Sequence, residues 1–515
     1  MEEELSNSQG IDENHENEAE MTAKEALIRS LGRDFSNYTY DGNFCVYLKF
    51  VHDRSEIESD IKDDTYFPDF VHQFFVDQER IFGYKQPILR LFYTAGRLKR
   101  YIKFDYEDRL TREKDGIDAD DVMSYLTPVL DNLEYTQDLN QFIQEVSSKE
   151  EQEFRPPGDL LYEFQLDYRK RRHLSRAQRE LLEEAGELGV KLPINNSLDE
   201  NLFTNTNGHS SKNGAADNTN SSPEKNDNQE KSKPCKKRYQ IFHANSETKN
   251  FKQFQARMQT LVMWFIESAT MIDFEDPRWD CFMVFEKYNP STSGDSDATP
   301  VSTEDRYYFV GYATVYRYYA YPDKTRPRVS QMLILPQYRR NGLGTTLLQS
   351  IYDYYKRQPA TLDITAEDPD EEFIAMRDLL DCKNCLKLDS FQPEKLKEGW
   401  TEDMFKEAQE KLKLCRRQAR KVYEILKLRV TNKSDEEEYK NYRIEIKNRL
   451  NIPNQKQRID VDRAMKRDPK VPVPDELRPQ EKVTAAKLED NFRLLEKQYE
   501  HVVEKLNHPE VTSSV

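Results

Sequence analysis

Cysteine and glycine are both scarce, at six and 16 residues in a chain of 515. Cys45, Cys235, Cys281, Cys382, Cys385 and Cys415 are too scattered for a disulfide framework in so long a chain, which points to a reducing compartment. Cys382-Lys383-Asn384-Cys385 is a lone CxxC, without a second pair or a histidine pair at zinc-finger spacing, so no metal is expected. There is no apolar run long enough to span a bilayer, and the acidic start Glu2-Glu3-Glu4 is unlike a signal peptide; neither a membrane nor secretion is expected. Positive charge is also lacking, the net value being −17. An acidic chain is a poor general binder of nucleic acid and suits basic partners, although the same charge also serves plain solubility. Hydrophobic residues make up only 37% against 33% charged. That is too polar for one uniform core, so disordered segments are expected to dilute the folded parts.

What is present divides along the chain. Residues 1–23 are acidic and Asn-rich and read as a disordered tail. Strand-like runs follow at Phe44–Phe50, Ile88–Tyr93 and Tyr101–Phe104. The last two flank Ala95-Gly96-Arg97 as a hairpin, and Leu139–Val146 reads as a helix. These make residues 24–167 a small α+β domain. Residues 168–236 form an insertion, first highly charged and helical, then rich in Asn, Ser and Gly. It closes on Lys231, Lys233, Lys236, Lys237 and Arg238, either a nuclear-localisation signal or a solvated charge run. Ordered sequence resumes at Tyr239. Met258, Leu261, Val262, Phe265 and Ile266 fit one face of a helix running to about Ser268, and strands follow at Phe282–Lys287 and Tyr307–Tyr319. Residues 386–515 read as charged helices, interrupted at Asn451-Ile452-Pro453, with a last apolar stripe at Phe492, Leu495, Tyr499, Val502 and Leu506.

The most informative stretch is Val329–Tyr355, VSQMLILPQYRRNGLGTTLLQSIYDYY. Its apolar run before Pro336 predicts a buried strand. Leu347, Leu348, Ile351, Tyr354 and Tyr355 then recur at helical spacing. Between them lies Arg339-Arg340-Asn341-Gly342-Leu343-Gly344. Two glycines let the backbone approach a ligand, and the following helix offers its free N–H groups to a phosphate or pyrophosphate. Alone this is an ordinary strand-to-helix turn, neither a dinucleotide fingerprint nor a P-loop.

The turn resembles the acetyl-CoA signature of the GNAT superfamily, Gln/Arg-x-x-Gly-x-Gly/Ala, through Arg339, Gly342 and Gly344. With LVMWFIES (Leu261–Ser268), YPDKTRPRVSQMLILP (Tyr321–Pro336) and LDITAEDP (Leu362–Pro369) in the same order, the chain resembles the catalytic subunits of type B histone acetyltransferases. That resemblance implies a GNAT catalytic domain over residues 237–385, a mixed sheet flanked by helices, with the N-terminal α+β domain binding histone. It implies acetyl-CoA as co-substrate, the N-terminal tail of newly made histone 4 as substrate, and a β-propeller (WD40) histone-binding subunit as partner. It also implies residence in nucleus and cytoplasm.

The resemblance implies site residues as well. The cofactor side comprises backbone at Met332, Leu333 and Ile334, the turn Arg339, Arg340, Asn341, Gly342, Leu343 and Gly344, and Asp370 and Phe373 beyond it. Glu367 is the expected general base, at a strand end where a partly desolvated carboxylate can take a proton. Read without the resemblance, Glu367-Asp368-Pro369 would simply cap the next helix, with Pro369 at its first position. Glu267 and Asp368 are secondary acid/base candidates. Asp77, Gln78, Glu79, Tyr316, Arg317 and Tyr318 match histone-contacting positions, and Trp279 either walls that groove or lies in the core. Two departures stand out. The family's turn reads Gln-Gly-x-Gly-His-Gly, so Arg340 replaces a glycine, a loss that could reshape the loop although the superfamily pattern tolerates it. Gln78 replaces an acid. Two rival functions remain: an N-acetyltransferase for another protein or small amine, and a non-catalytic histone-binding scaffold.

Overall fold

Strand-forming sequence is concentrated in the first two thirds of the chain and helix-forming sequence in the last third, and the fold follows that division. The computed structural model describes residues 31–58, 65–75, 79–130, 134–169, 235–289, 304–467 and 485–508. The expected tail, most of the expected insertion, Lys231, Lys233, Asp77 and Gln78 lie outside the described residues.

Near the start, a four-stranded sheet runs in the order Val46–Val51, Ile88–Thr94, Arg100–Asp105, Tyr135–Thr136. The expected hairpin is its central antiparallel pair, with Tyr93 opposite Arg100. The helix Leu139–Val146 forms as expected and buries Phe142 and Val146 against Val51, Phe92 and Tyr101.

The larger sheet has six strands. They are β1 (Asp159–Tyr168), β2 (Cys235–Asn245), β3 (Trp279–Tyr288), β4 (Arg306–Ala320), β5 (Lys324–Ile334) and β6 (Thr365–Ala366). They lie side by side in the order β6-β5-β4-β3-β2-β1. β1 and β2 pair antiparallel, and β5 and β6 pair parallel. The ordered chain resumes earlier than expected, because Lys236, Lys237 and Arg238 are strand residues opposite Asp167, Leu166 and Gln165. Lys237 sits over the Tyr168 ring and pairs with Glu286, so this part of the basic run is built into the sheet.

Helices α1 (Phe251–Gln259), α2 (Leu343–Lys356) and α3 (Glu371–Cys385) accompany this sheet in sequence. The single helix expected to run to Ser268 is instead α1 followed by a short turn of helix, Val262–Phe265. The break falls where the Leu261 N–H bonds the Met258 carbonyl and the Thr260 hydroxyl bonds the Arg257 carbonyl. Both are tighter than the i→i−4 pattern and close the first helix.

The chain divides into two compact units, one of residues 1–277, 281–312 and 333–341, the other of 278–280, 313–332 and 342–515. Strands β3, β4 and β5 contribute residues to both. In the second unit, α4 (Glu402–Leu412), α5 (Arg416–Val430), α6 (Glu436–Arg467) and α7 (Ala485–Asn507) form a helical core. Val422, Tyr423 and Leu426 of α5 pack with Phe492, Tyr499, Val502 and Leu506 of α7 and with Tyr442 and Ile446 of α6. The last apolar stripe is therefore core. Cys382 and Cys385 lie in the same cluster, where burial pushes both thiols well up. Pro453 does not end the helix, contrary to expectation: α6 runs through it. A proline lacks an N–H and crowds the carbonyl one turn back, yet a helix already nucleated and packed upstream can absorb that loss.

Candidate active site

The course of β5 is the starting point. Pro327, Val329, Gln331 and Leu333 are buried and their neighbours half-buried, so the expected fully buried strand is an alternating one. The Val329 carbonyl accepts from the Glu367 N–H at 2.9 Å, on the β6 side. The Gln331 N–H instead donates to Thr314 Oγ1 at 3.0 Å, and the Leu335 N–H to the Val310 carbonyl at 2.9 Å, both on β4. In a regular strand, residues two apart address the same side. Val329 and Gln331 do not, so β5 carries an irregularity at Ser330. Pairing with β6 covers Arg328 and Val329 only. Beyond it, the backbone groups of Met332 and Ile334 face the side that β6 has left. Leu333 faces the other way: a Cβ on Gly311 would meet its carbonyl oxygen at 2.2 Å, so only glycine fits there. Of the three residues expected to hold an acyl chain by backbone groups, Met332 and Ile334 turn theirs to that side and Leu333 turns its carbonyl to Gly311.

Ile334 leads to the turn. Its carbonyl accepts from Arg339 Nε at 2.9 Å, and Arg339 Nη1 lies 3.0 Å from Asp69 Oδ2. The same guanidinium stands over Phe265 at 5.4 Å. The Arg339 charge is thus paired with Asp69, and the side chain braces the turn. Asn341 braces it too: its side-chain oxygen accepts from the Arg169 N–H at 3.1 Å, and its amide nitrogen reaches the Arg339 carbonyl at 3.3 Å. Arg340, exposed, takes a left-handed φ of 62°. That is a conformation glycine adopts freely and a residue with a side chain adopts only at a cost.

Gly342 follows at φ 83° and is the N-cap of α2, with no side-chain cap. A Cβ on it would meet nothing within 4 Å. Leu343, Gly344 and Thr345 therefore open the helix with N–H groups that no capping side chain takes, beside open space. Uncapped N–H groups and the positive end of the helix dipole suit an anion. Leu343 itself is buried and anchors the helix, together with Leu347, Leu348, Ile351, Tyr352 and Tyr355.

On the other side of the irregular strand, β6 ends at Ala366 and Glu367 follows at once. Glu367 is half-buried, and its Oε2 accepts from Ser330 Oγ at 2.7 Å. Asp368 is exposed with a φ of 29°, an uncommon conformation for a residue with a side chain. The helix cap is Asp370, whose carboxylate accepts from the Phe373 N–H at 2.7 Å. Pro369 thus stands before the cap rather than at the first helical position, and Glu367 has no capping role. Phe373 is half-buried on the first turn of α3. On the same helix Arg377 is buried, donating to Tyr352 Oη at 3.0 Å and to the Ile364 carbonyl at 2.8 Å. It ties α2 and α3 to the segment that delivers Glu367.

The aromatic residues also meet. Trp279 and Tyr316 pack edge to face at 4.8 Å, and Tyr316 and Tyr318 at 4.6 Å. Trp279 is half-buried, which places it in this wall. Arg278 lies over Tyr316 at 4.9 Å and Arg328 over Tyr318 at 4.5 Å, so the chain's own arginines already cover these faces. Arg328 is opposite Thr365, two residues before Glu367, so the wall adjoins the strand end. Arg317 is paired to the buried Asp280 at 3.0 Å, and Asp280 also accepts from Tyr355 Oη at 2.6 Å. Arg317 is thereby a brace for the wall. Glu79 has a φ of 61° and accepts from Asn43 Nδ2 at 2.6 Å, with His72 at 3.4 Å. Glu267 is exposed, just past the helical turn Val262–Phe265. Ser330 and Asp280 were not picked out by the sequence. Their signal, a polar residue within an apolar alternation, is faint.

Three family descriptions match this chain. They are "Histone acetyl transferase HAT1 N-terminus" over residues 38–267, "Acetyltransferase (GNAT) family" over 259–375, and "Histone acetyltransferase type B catalytic subunit, C-terminal" over 377–428. The histone acetyltransferase type B catalytic subunit of Homo sapiens is 34% identical over 479 residues, 92% of this chain and 95% of the relative. That of Mus musculus matches to the same extent, at 34% over 92% and 95%. One from Dictyostelium discoideum is 35% identical over 41% of this chain and 43% of its own length.

Proposed function

This chain belongs to the family of histone acetyltransferase type B catalytic subunits and is an acetyltransferase, and from that premise we propose that it acetylates lysines of the histone-4 N-terminal tail. The acetyl donor is acetyl-CoA, and Glu367 is the general base. Direct attack by the lysine is the economical route, since no cysteine and histidine pair accompanies the turn.

The observation that carries this reading is the split between β5 and β6. It leaves Met332 and Ile334 with outward-facing backbone on one arm, and Glu367 on the end of the other. Acetyl-CoA, when bound, supplies an activated acyl carbon on a thioester. The uncapped start of α2 suits its pyrophosphate, and the open space before Gly342 leaves room for it. The Met332 N–H is directed so that it can polarise an acyl oxygen. A substrate lysine has an ordinary pKa of roughly 10.4 and must lose a proton before it attacks. Glu367 takes that proton on its carboxylate, which Ser330 holds through Oε2. The family also suggests a β-propeller histone-binding partner and residence in nucleus and cytoplasm, and both belong to the proposal.

The test is acetyl transfer from labelled acetyl-CoA to a histone-4 tail peptide, set beside spermidine as a small-amine acceptor. Rapid transfer to the peptide and little to spermidine is expected. Transfer to spermidine alone would move the substrate to small amines. Tail binding without any transfer would leave a scaffold.

A further inference from the structure

We propose that Ser330 is a positioning residue for the acetyl-transfer reaction, one that acts by orienting the Glu367 carboxylate. The inference rests on Glu367 being the base.

Two contacts from β5 hold Glu367. Val329 holds the Glu367 backbone through its carbonyl at 2.9 Å. Ser330 holds the carboxylate through its hydroxyl at 2.7 Å. Adjacent residues on β5 thus grip both ends of one glutamate. The register Arg328–Thr365, Val329–Ala366 brings Ser330 beside Glu367 as the next pair along the two strands, and side chains of such cross-strand neighbours lie on the same face within reach of each other. The backbone bond and the side-chain bond therefore reach the same residue from adjacent positions of β5.

A free glutamate side chain samples several rotamers, and a general base must lie within hydrogen-bond reach of the proton it takes. The hydroxyl, bonded to Oε2 at 2.7 Å, holds the carboxylate in one rotamer. Thr365, next to β6's end, does not take this part: its hydroxyl is buried without a hydrogen-bond partner among the described residues. Asp368 is exposed and turned by its left-handed φ of 29°.

Steady-state kinetics of the full-length chain on the histone-4 tail peptide test the assignment with Ser330→Ala, Ser330→Thr, Glu367→Gln and the Ser330→Ala/Glu367→Gln double variant. Loss of one hydrogen bond to a charged group is expected to lower kcat by roughly 10- to 100-fold in Ser330→Ala. KM for acetyl-CoA and for peptide should stay at their wild-type values, and Ser330→Thr, which keeps the hydroxyl, should recover most of the rate. In the Glu367→Gln background, Ser330→Ala should cost nothing more, because residues acting through one group are not additive. An equal loss in both backgrounds, or a raised KM with kcat unchanged, would overturn the assignment and make Ser330 a structural strand residue. Wild-type kcat in Ser330→Ala beside a dead Glu367→Gln would overturn it too, leaving the base intact. A fully active Glu367→Gln would instead remove Glu367 as base, and the inference with it.

Discussion

Arg100 is only 2% exposed, and its three guanidinium nitrogens have no hydrogen-bond partner among the described residues. Burial pushes its pKa down from the ordinary arginine value. Methionine replaces the stem of the side chain and removes the buried charge. Arg100→Met should therefore stabilise the protein by roughly 1–3 kcal/mol, seen as a higher melting temperature in calorimetry. A lower melting temperature would mean that an acceptor reaches this arginine in solution. Gly342 allows a second residue-level test. Alanine there meets no neighbour, but its φ of 83° is costly for a side chain, and the new methyl would stand in the space before α2. Gly342→Ala should raise KM for acetyl-CoA roughly tenfold with kcat little changed, which is about 1.4 kcal/mol of binding. The turn at Gly342 was legible because it stands between a strand-like run and a helical stripe, whereas Glu367 was singled out only by the resemblance, its residues alone reading as a helix cap. The supports of neither were legible. Ser330 and Glu367 are 37 residues apart, and Arg339 and Asp69 are 270 apart. No local pattern reports such pairs, which is why the contacts of Arg339 with Asp69 and the Ile334 carbonyl could not be read from the turn itself.

Elements were read well where one face decides them. The α2 stripe is nearly all buried as expected, and the helix Leu139–Val146 was bounded correctly. Boundaries set by hydrogen bonds went astray, as at Thr260, and so did the stop expected at Pro453. In the second case the local preference was real but was outweighed by the packed turns before it, Tyr442 and Ile446 being fully buried. Helix α4 offers a pH test. Burial opposes charge on Glu407, but the Lys411 ammonium and the Ser390 hydroxyl and amide outweigh it and hold the carboxyl at about 2. The folded value is thus below that of an unfolded glutamate, roughly 4.3. Its contribution to stability is complete above that value and is lost as pH falls towards about 2. Glu407→Gln should flatten the acid limb of the unfolding curve between those limits; an unchanged limb would place the acid sensitivity elsewhere.

At the scale of the whole molecule, the net charge of −17 is opposite in sign to a lysine-rich tail. Attraction between them is long-range and screened by salt over roughly 10 Å at 0.1 M. Added salt should therefore raise KM for the histone-4 peptide while leaving KM for acetyl-CoA far less affected. Equal sensitivity of both would argue against an acidic tail-binding surface. The mixed sheet flanked by helices was legible as a whole because the order of elements and the blocks of the central stretch agree on one architecture. The arms of that architecture meet in one chemical statement, that Glu367 takes the proton from the lysine. Single-turnover acetyl transfer, with enzyme in excess over labelled acetyl-CoA and saturating histone-4 peptide, tests it most directly in wild type and Glu367→Gln. The account predicts a rate lower by roughly 100-fold or more in the variant, with acetyl-CoA binding unchanged. An unchanged rate would contradict it and turn attention to Glu267.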